Sequence, residues 1–234
     1  MTDYAFPGRW IGAGTMVLGP ALLLVGTLLR LPFHYFFPRQ LVAVAEHPTL
    51  MTTAHALVVA GNVLLAFAVL SLAHRIGRER PVAATWGAAL VLVGLLERTF
   101  HAGIDQAAHN VVRHQGVEVA TAQVSQSYQD LHLFSYLSFT ILIGWPVLAY
   151  AAYRSRVFGP FRALALATTC LLPLGVLKGT EPTSVLAVAG LCAALAPTGI
   201  RDLLTAPRPS RGSVLATLIA VPVVGALAYV STLG

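Results

Sequence analysis

Seven apolar runs, each near the length that crosses a bilayer, leave this chain little choice of fold. They cover roughly residues 10–29, 51–73, 82–103, 131–153, 161–177, 183–200 and 213–232. A hydrocarbon core about 30 Å thick needs about 20 mostly apolar residues per helix. Backbone polar groups in lipid must be satisfied within the segment, so such runs become helices. Composition agrees, with 56% of the 234 residues hydrophobic and only 10% charged, against about 25% charged in soluble domains. The expectation is an all-α, polytopic integral membrane helix bundle of about seven transmembrane helices, forming one domain over residues 1–234 in the cell membrane. The fifth and sixth runs are short and contain Pro173 and Pro197, which leaves kinks or an undivided pair open there.

Orientation follows from Lys and Arg, which concentrate in cytoplasmic loops. With the N-terminus inside, the inner segments hold ten basic residues (Arg9, Arg75, Arg78, Arg80, Arg154, Arg156, Arg162, Arg201, Arg208 and Arg211) against the acids Asp3, Glu79 and Asp202. The outer half holds five basic residues against six acidic ones. The C-terminus is then outside, and the net charge of +6 is a topology signal that excludes a nucleic-acid role. Arg9 before an apolar run resembles a secretory leader, but the run is long and lacks a small-residue cleavage site, so it reads as a retained helix. Cys170 and Cys192 are lone apolar fillers within two of the runs.

No internal repeat is visible, which removes the usual sequence pointer to an inverted-repeat transporter. Inner connections are short and basic, whereas two outer ones are long. Residues 30–50 are aromatic and Pro-flanked, as in an interfacial or re-entrant segment. Residues 104–130 are polar, and their second half lacks the apolar density for another span. The intrahelical glycines, Gly19 and Gly61 among them, read as close-packing positions.

Seven of the eight histidines fall on the outer side: His34, His47, His55, His101, His109, His114 and His132. In the third run Glu97, His101 and Asp105 follow at i, i+4 and i+8, with His109 one turn further, so they stripe one helix face. If the span enters near Val82, Glu97 lies about 7 Å below the outer boundary at 1.5 Å per residue. An ionisable group there costs about 2–3 kcal/mol unless paired or wetted. Glu97, His101 and Asp105 are therefore the expected catalytic set, although Glu97 could equally pair with Arg98 or Arg30, or accept a hydrogen bond from His101 one turn on. Asn62, Asp130 and Tyr136 are candidate substrate-binding groups on the second and fourth runs. His55, His101 and His132 are expected at similar depth on three helices and, with His109, are candidate ligands for zinc, iron or copper. No compact motif such as H-E-x-x-H fixes two of them on one turn. Lys178 and Glu181 occupy a tight outer turn, where they close the site's roof, capture an anionic headgroup, or are simply solvated.

Three function classes fit these residues. The first is a membrane-embedded enzyme acting on a lipid or isoprenoid-like substrate by acid/base or metal-assisted chemistry, an isomerase, cyclase or hydrolase. The second is a redox module with haem between two histidines. A transporter or accessory subunit is third, weakened because the inner halves offer no polar path. Membrane lipids, another membrane protein or a second copy are the expected partners. Zinc-dependent seven-helix hydrolases are disfavoured, because Met51 stands four residues before His55 and no histidine follows His132. Retinal proteins are disfavoured too, because residues 213–232 contain no lysine.

Overall fold

The computed structural model describes residues 6–127, 130–173, 175–205 and 211–232. Of the charges used for topology, Asp3 and Arg208 lie outside them, as does the chain end at Gly234. Among the described residues regular structure is helical throughout. Among these residues six helical stretches, Leu133–Arg154 counted as one, are long and apolar enough to cross a membrane, so the chain is a helical, multi-pass type of protein.

The helices are α1 (Arg9–Arg30), α2 (Arg39–Glu46), α3 (Pro48–Gly77), α4 (Pro81–Gln115), α5 (Val117–Ser127), α6 (Leu133–Leu137), α7 (Phe139–Arg154), α8 (Pro160–Ala167), α9 (Pro182–Leu204) and α10 (Arg211–Ser231). Proline opens α3, α4, α8 and α9. At that position its missing N–H would have no partner anyway and its fixed φ already suits the helix. Residues to Leu203 form one compact unit and those from Leu204 a second. In the second, Val214–Ser231 has a mean hydropathy of 2.2 and span length.

Within the first unit α1 lies along α3, α3 along α4, and α4 along α7, which passes on to α8. The α1–α3 approach is close enough that a Cβ on Gly61 would meet the Gly19 carbonyl oxygen at 2.8 Å. Helix α9 closes the bundle: its Gly190 faces α8 at Ala165, and its Gly199 faces α1 at Ala13. The main core runs through these helices and includes Met16, Leu65, Val91, Trp145 and Leu191.

Two features depart from the sequence expectation. At 35 residues, α4 is about 52 Å long and overruns its expected end near residue 103. Its last turns join α2 and α5 in a separate small core of Leu41, Val44, Val112, Ala120 and Leu177. This core caps the His-rich end of the bundle.

The expected fifth span, 161–177, is broken. Helix α8 stops at Ala167, and a 3-10 turn, Thr168–Leu171, ends it. Together they rise about 20 Å, too little for a bilayer. Pro173 pushes Leu172 out of the helical region, to ψ 136°. The chain continues as irregular backbone, with φ at +95° for Gly175 and +50° for Leu177. Within a membrane, non-helical backbone is tolerated only where protein or a wet cavity satisfies it.

A polar cavity beside the broken helix

Arginines satisfy the broken segment. Arg98 donates from Nη1 to the Pro173 carbonyl (3.0 Å) and from Nη2 to the Leu172 carbonyl (3.3 Å). Arg30 donates to the Lys178 carbonyl (2.6 Å) and the Gln40 side-chain oxygen (3.3 Å). Asp105 accepts the Leu177 N–H at 2.7 Å, and the Gly179 N–H reaches the Tyr35 carbonyl at 2.7 Å. The loop is thus held from α1, α4 and the segment before α2.

Between this loop and the helices lies a cavity of about 120 Å³. Its polar wall carries Arg30, His55, Asn62, Arg98, His101 and Asp105, with Lys178 at the loop. Leu23, Leu65, Leu95, Ile141, Trp145 and Val188 form the apolar part. A cavity of about 150 Å³ accepts one benzene ring, so this space suits a small polar group with a few waters, or the end of a chain.

The polar stripe on α4 divides. Four residues are 40° past a full turn at 3.6 residues per turn, enough to turn neighbours toward different helices. Glu97 is fully buried away from the cavity. It accepts the Ser138 hydroxyl at 2.7 Å, and its other oxygen, Oε2, has no protein partner. The sequence alternatives of an Arg98, Arg30 or His101 partner do not form, because both arginines serve the loop and Ser138 lies opposite Glu97. His101 and Asp105 face the cavity.

The four expected metal ligands form two pairs instead of one set. His55 stacks edge-on against His109 with ring centroids 5.2 Å apart, and His101 against His132 at 6.0 Å. Among the described residues no three His, Cys, Asp or Glu side chains come together as a metal-binding group. Arg30 adds a positive charge within electrostatic range of both His55 and His109, which opposes a cation there. His55 and His101 share the cavity with Asp105, whereas His132 lines the neighbouring hollow.

Asn62 lines the cavity as expected, but its amide N–H groups go to the Leu95 carbonyl (2.9 Å) and the Thr99 hydroxyl (2.8 Å). Only its oxygen is left for a ligand. Tyr136 is 68% exposed and outside the cavity. Asp130 and His132 line a second, more open hollow that shares His101 and Lys178 with the cavity. His34, His47 and His114 are exposed.

Sequence reasoning weighed Arg30 and Arg98 only as partners of Glu97. The same cost argument that singled out Glu97 applies to Arg98, one residue on, and was the available signal. The chain matches no protein-family model, curated protein or solved structure.

Proposed function

We propose that this integral membrane protein takes the polar end of an amphiphile into the cavity at its His-rich end and acts on it by acid–base chemistry. The carrying observation is the cavity itself: one wall brings His55, Asn62, His101 and Asp105 together while the other is apolar. An amphiphile needs that pairing of surfaces.

In this reading His101 is the proton-transfer group. Its imidazole borders both the cavity and the outer hollow, so a proton gained on one side has a route to water on the other. Asp105 positions the roof through Leu177 and adds a carboxylate beside His101. The Asn62 oxygen accepts from the ligand. Glu97 supports the α4–α7 seam opposite Ser138. The basic connections at the opposite end favour an outside position for this one, so in this reading the ligand enters from the outer leaflet.

The test is extraction of detergent-purified protein followed by mass spectrometry of bound amphiphiles. Wild type should carry a stoichiometric amphiphile, and Ala102→Phe, which fills the cavity from α4, should lose it. Equal lipid content in both proteins would sink the proposal. Incubation of the recovered compound with protein should then yield a product that His101→Ala does not form.

A further inference from the structure

Around the cavity three cations face one carboxylate: Arg30, Arg98 and Lys178 against Asp105. Among the described residues none of the three has an acidic oxygen within 4.0 Å. Asp105 is already engaged by the Leu177 N–H, and Glu97, adjacent to Arg98 in sequence, is turned to Ser138.

Each cation keeps capacity for a ligand. Arg98 spends two of its five N–H donors on the carbonyls of Leu172 and Pro173. Arg30 donates through Nη2, while its buried Nε has no protein partner. The Lys178 ammonium sits 3.7 Å over the Phe36 ring, which holds it at the mouth and removes part of its water. Glu97 and Asp105 offset part of the Arg98 and Arg30 charge from a distance, which leaves a net positive surround; such charge is costly inside a membrane, and an anion in the cavity would balance it.

We infer that this anion is a phosphate group, and that the amphiphile proposed above is one whose polar end bears phosphate; the inference rests on that reading of the cavity. Three cations from three separate segments converge here, whereas one guanidinium fork already satisfies a carboxylate. A phosphate offers more acceptor oxygens and up to two negative charges, matching two forks and a point charge. The space admits a phosphate with a few waters, and Leu23, Leu65, Trp145 and Val188 supply an apolar wall beside it.

Trp145 lines the cavity and provides the readout. The other two tryptophans, Trp10 and Trp86, are exposed, so Trp10→Phe with Trp86→Phe leaves Trp145 as sole reporter. The protein in neutral detergent is titrated with dioctanoyl phosphatidic acid, dioctanoylglycerol and inorganic phosphate. Phosphatidic acid should shift the emission saturably, at a half-saturation at least tenfold below that of dioctanoylglycerol. Lys178→Met and Arg98→Met should each raise it tenfold or more. Arg98 also holds the loop, so Lys178, whose ammonium rests on the Tyr35 and Phe36 rings and makes no hydrogen bond to backbone among the described residues, decides the matter if Arg98→Met fails to fold.

Competition by inorganic phosphate would support the site with free phosphate as a second source. Phosphatidic acid binding without that competition would support a lipid source alone. Equal half-saturation for both lipids, unchanged in Lys178→Met, would overturn the phosphate inference and leave the amphiphile cavity standing. Saturable phosphate with no response to either lipid would support the phosphate site and remove the amphiphile. Silence to all three would overturn both.

Discussion

The Asp105 carboxylate accepts the backbone N–H of Leu177 at 2.7 Å, and Leu177 holds a left-handed φ of +50°. A leucine there costs about 1–2 kcal/mol relative to a right-handed conformation, and the Asp105 bond is part of what offsets it. The packing of Leu177, 1% exposed, in the cap core is another part. Asp105→Ala should therefore strand a buried N–H and destabilise the protein by about 1–3 kcal/mol. Asp105→Asn keeps an acceptor oxygen and should lose clearly less. Thermal unfolding of both variants in detergent checks the order; identical midpoints would mean that the bond is not what holds the loop.

Activity should separate His101 from Glu97, although they are one turn apart on α4. General acid–base groups contribute about 10²–10⁴-fold, so His101→Ala should lower turnover of the recovered amphiphile by at least about 10²-fold. Glu97→Gln keeps an acceptor for Ser138 outside the cavity, and its turnover should stay within about twofold of wild type, on the ground that a hydrogen bond preserved at the seam leaves the site undisturbed. Loss of turnover in Glu97→Gln with intact folding would return Glu97 to the catalytic set.

The helical membrane class was legible because apolar length alone decides it, and the prolines at 48, 81, 160 and 182 mark helix starts. The broken fifth span was not. Pro173 and Gly175 fit a kinked helix as well as a broken one, and what settles the difference is Arg98, whose donors reach carbonyls 74 and 75 residues away in sequence. The site shows the same division. That Glu97, Arg98, His101 and Asp105 share one helix followed from the spacing, and the structure has all four on α4. Their facing did not follow, because a rotation of 40° per four residues sends Glu97 to Ser138 and His101 to the cavity. Which neighbour lies at each angle depends on how α7 and the 172–181 segment pack. The histidines paired as 55 with 109 and 101 with 132 for the same reason.

Close packing of α1 on α3 predicts a sharp contrast between two glycines. At Gly61 a Cβ would stand 2.8 Å from the Gly19 oxygen and 2.9 Å from the Leu23 nitrogen, both backbone atoms that cannot swing aside. Gly61→Leu should cost at least about 1–3 kcal/mol by overpacking, or abolish folding. At Gly14, also in the bundle, nothing lies within 4 Å of a Cβ. Gly14→Leu should be neutral or slightly stabilising, since leucine favours helix over glycine by roughly 1 kcal/mol. Folded yield and unfolding midpoint in detergent compare the two, and equal behaviour would contradict the close α1–α3 contact.

Orientation decides which side supplies the ligand. Arg75, Arg78, Arg80 and Arg154 gather at the end of the bundle opposite the cap, and the positive-inside rule predicts a cytoplasmic position for that end. A background with Cys170→Ser and Cys192→Ser removes both native thiols. Single cysteines are then placed at exposed positions, Glu118 on α5 and Arg78 just after α3. A membrane-impermeant maleimide added to intact cells should label Glu118→Cys directly and Arg78→Cys only after permeabilisation. The reverse pattern would keep the cavity and its residues but turn its mouth to the inner leaflet. His101 would then exchange protons with the cytoplasm, and the bound amphiphile would have to come from the cytoplasmic leaflet.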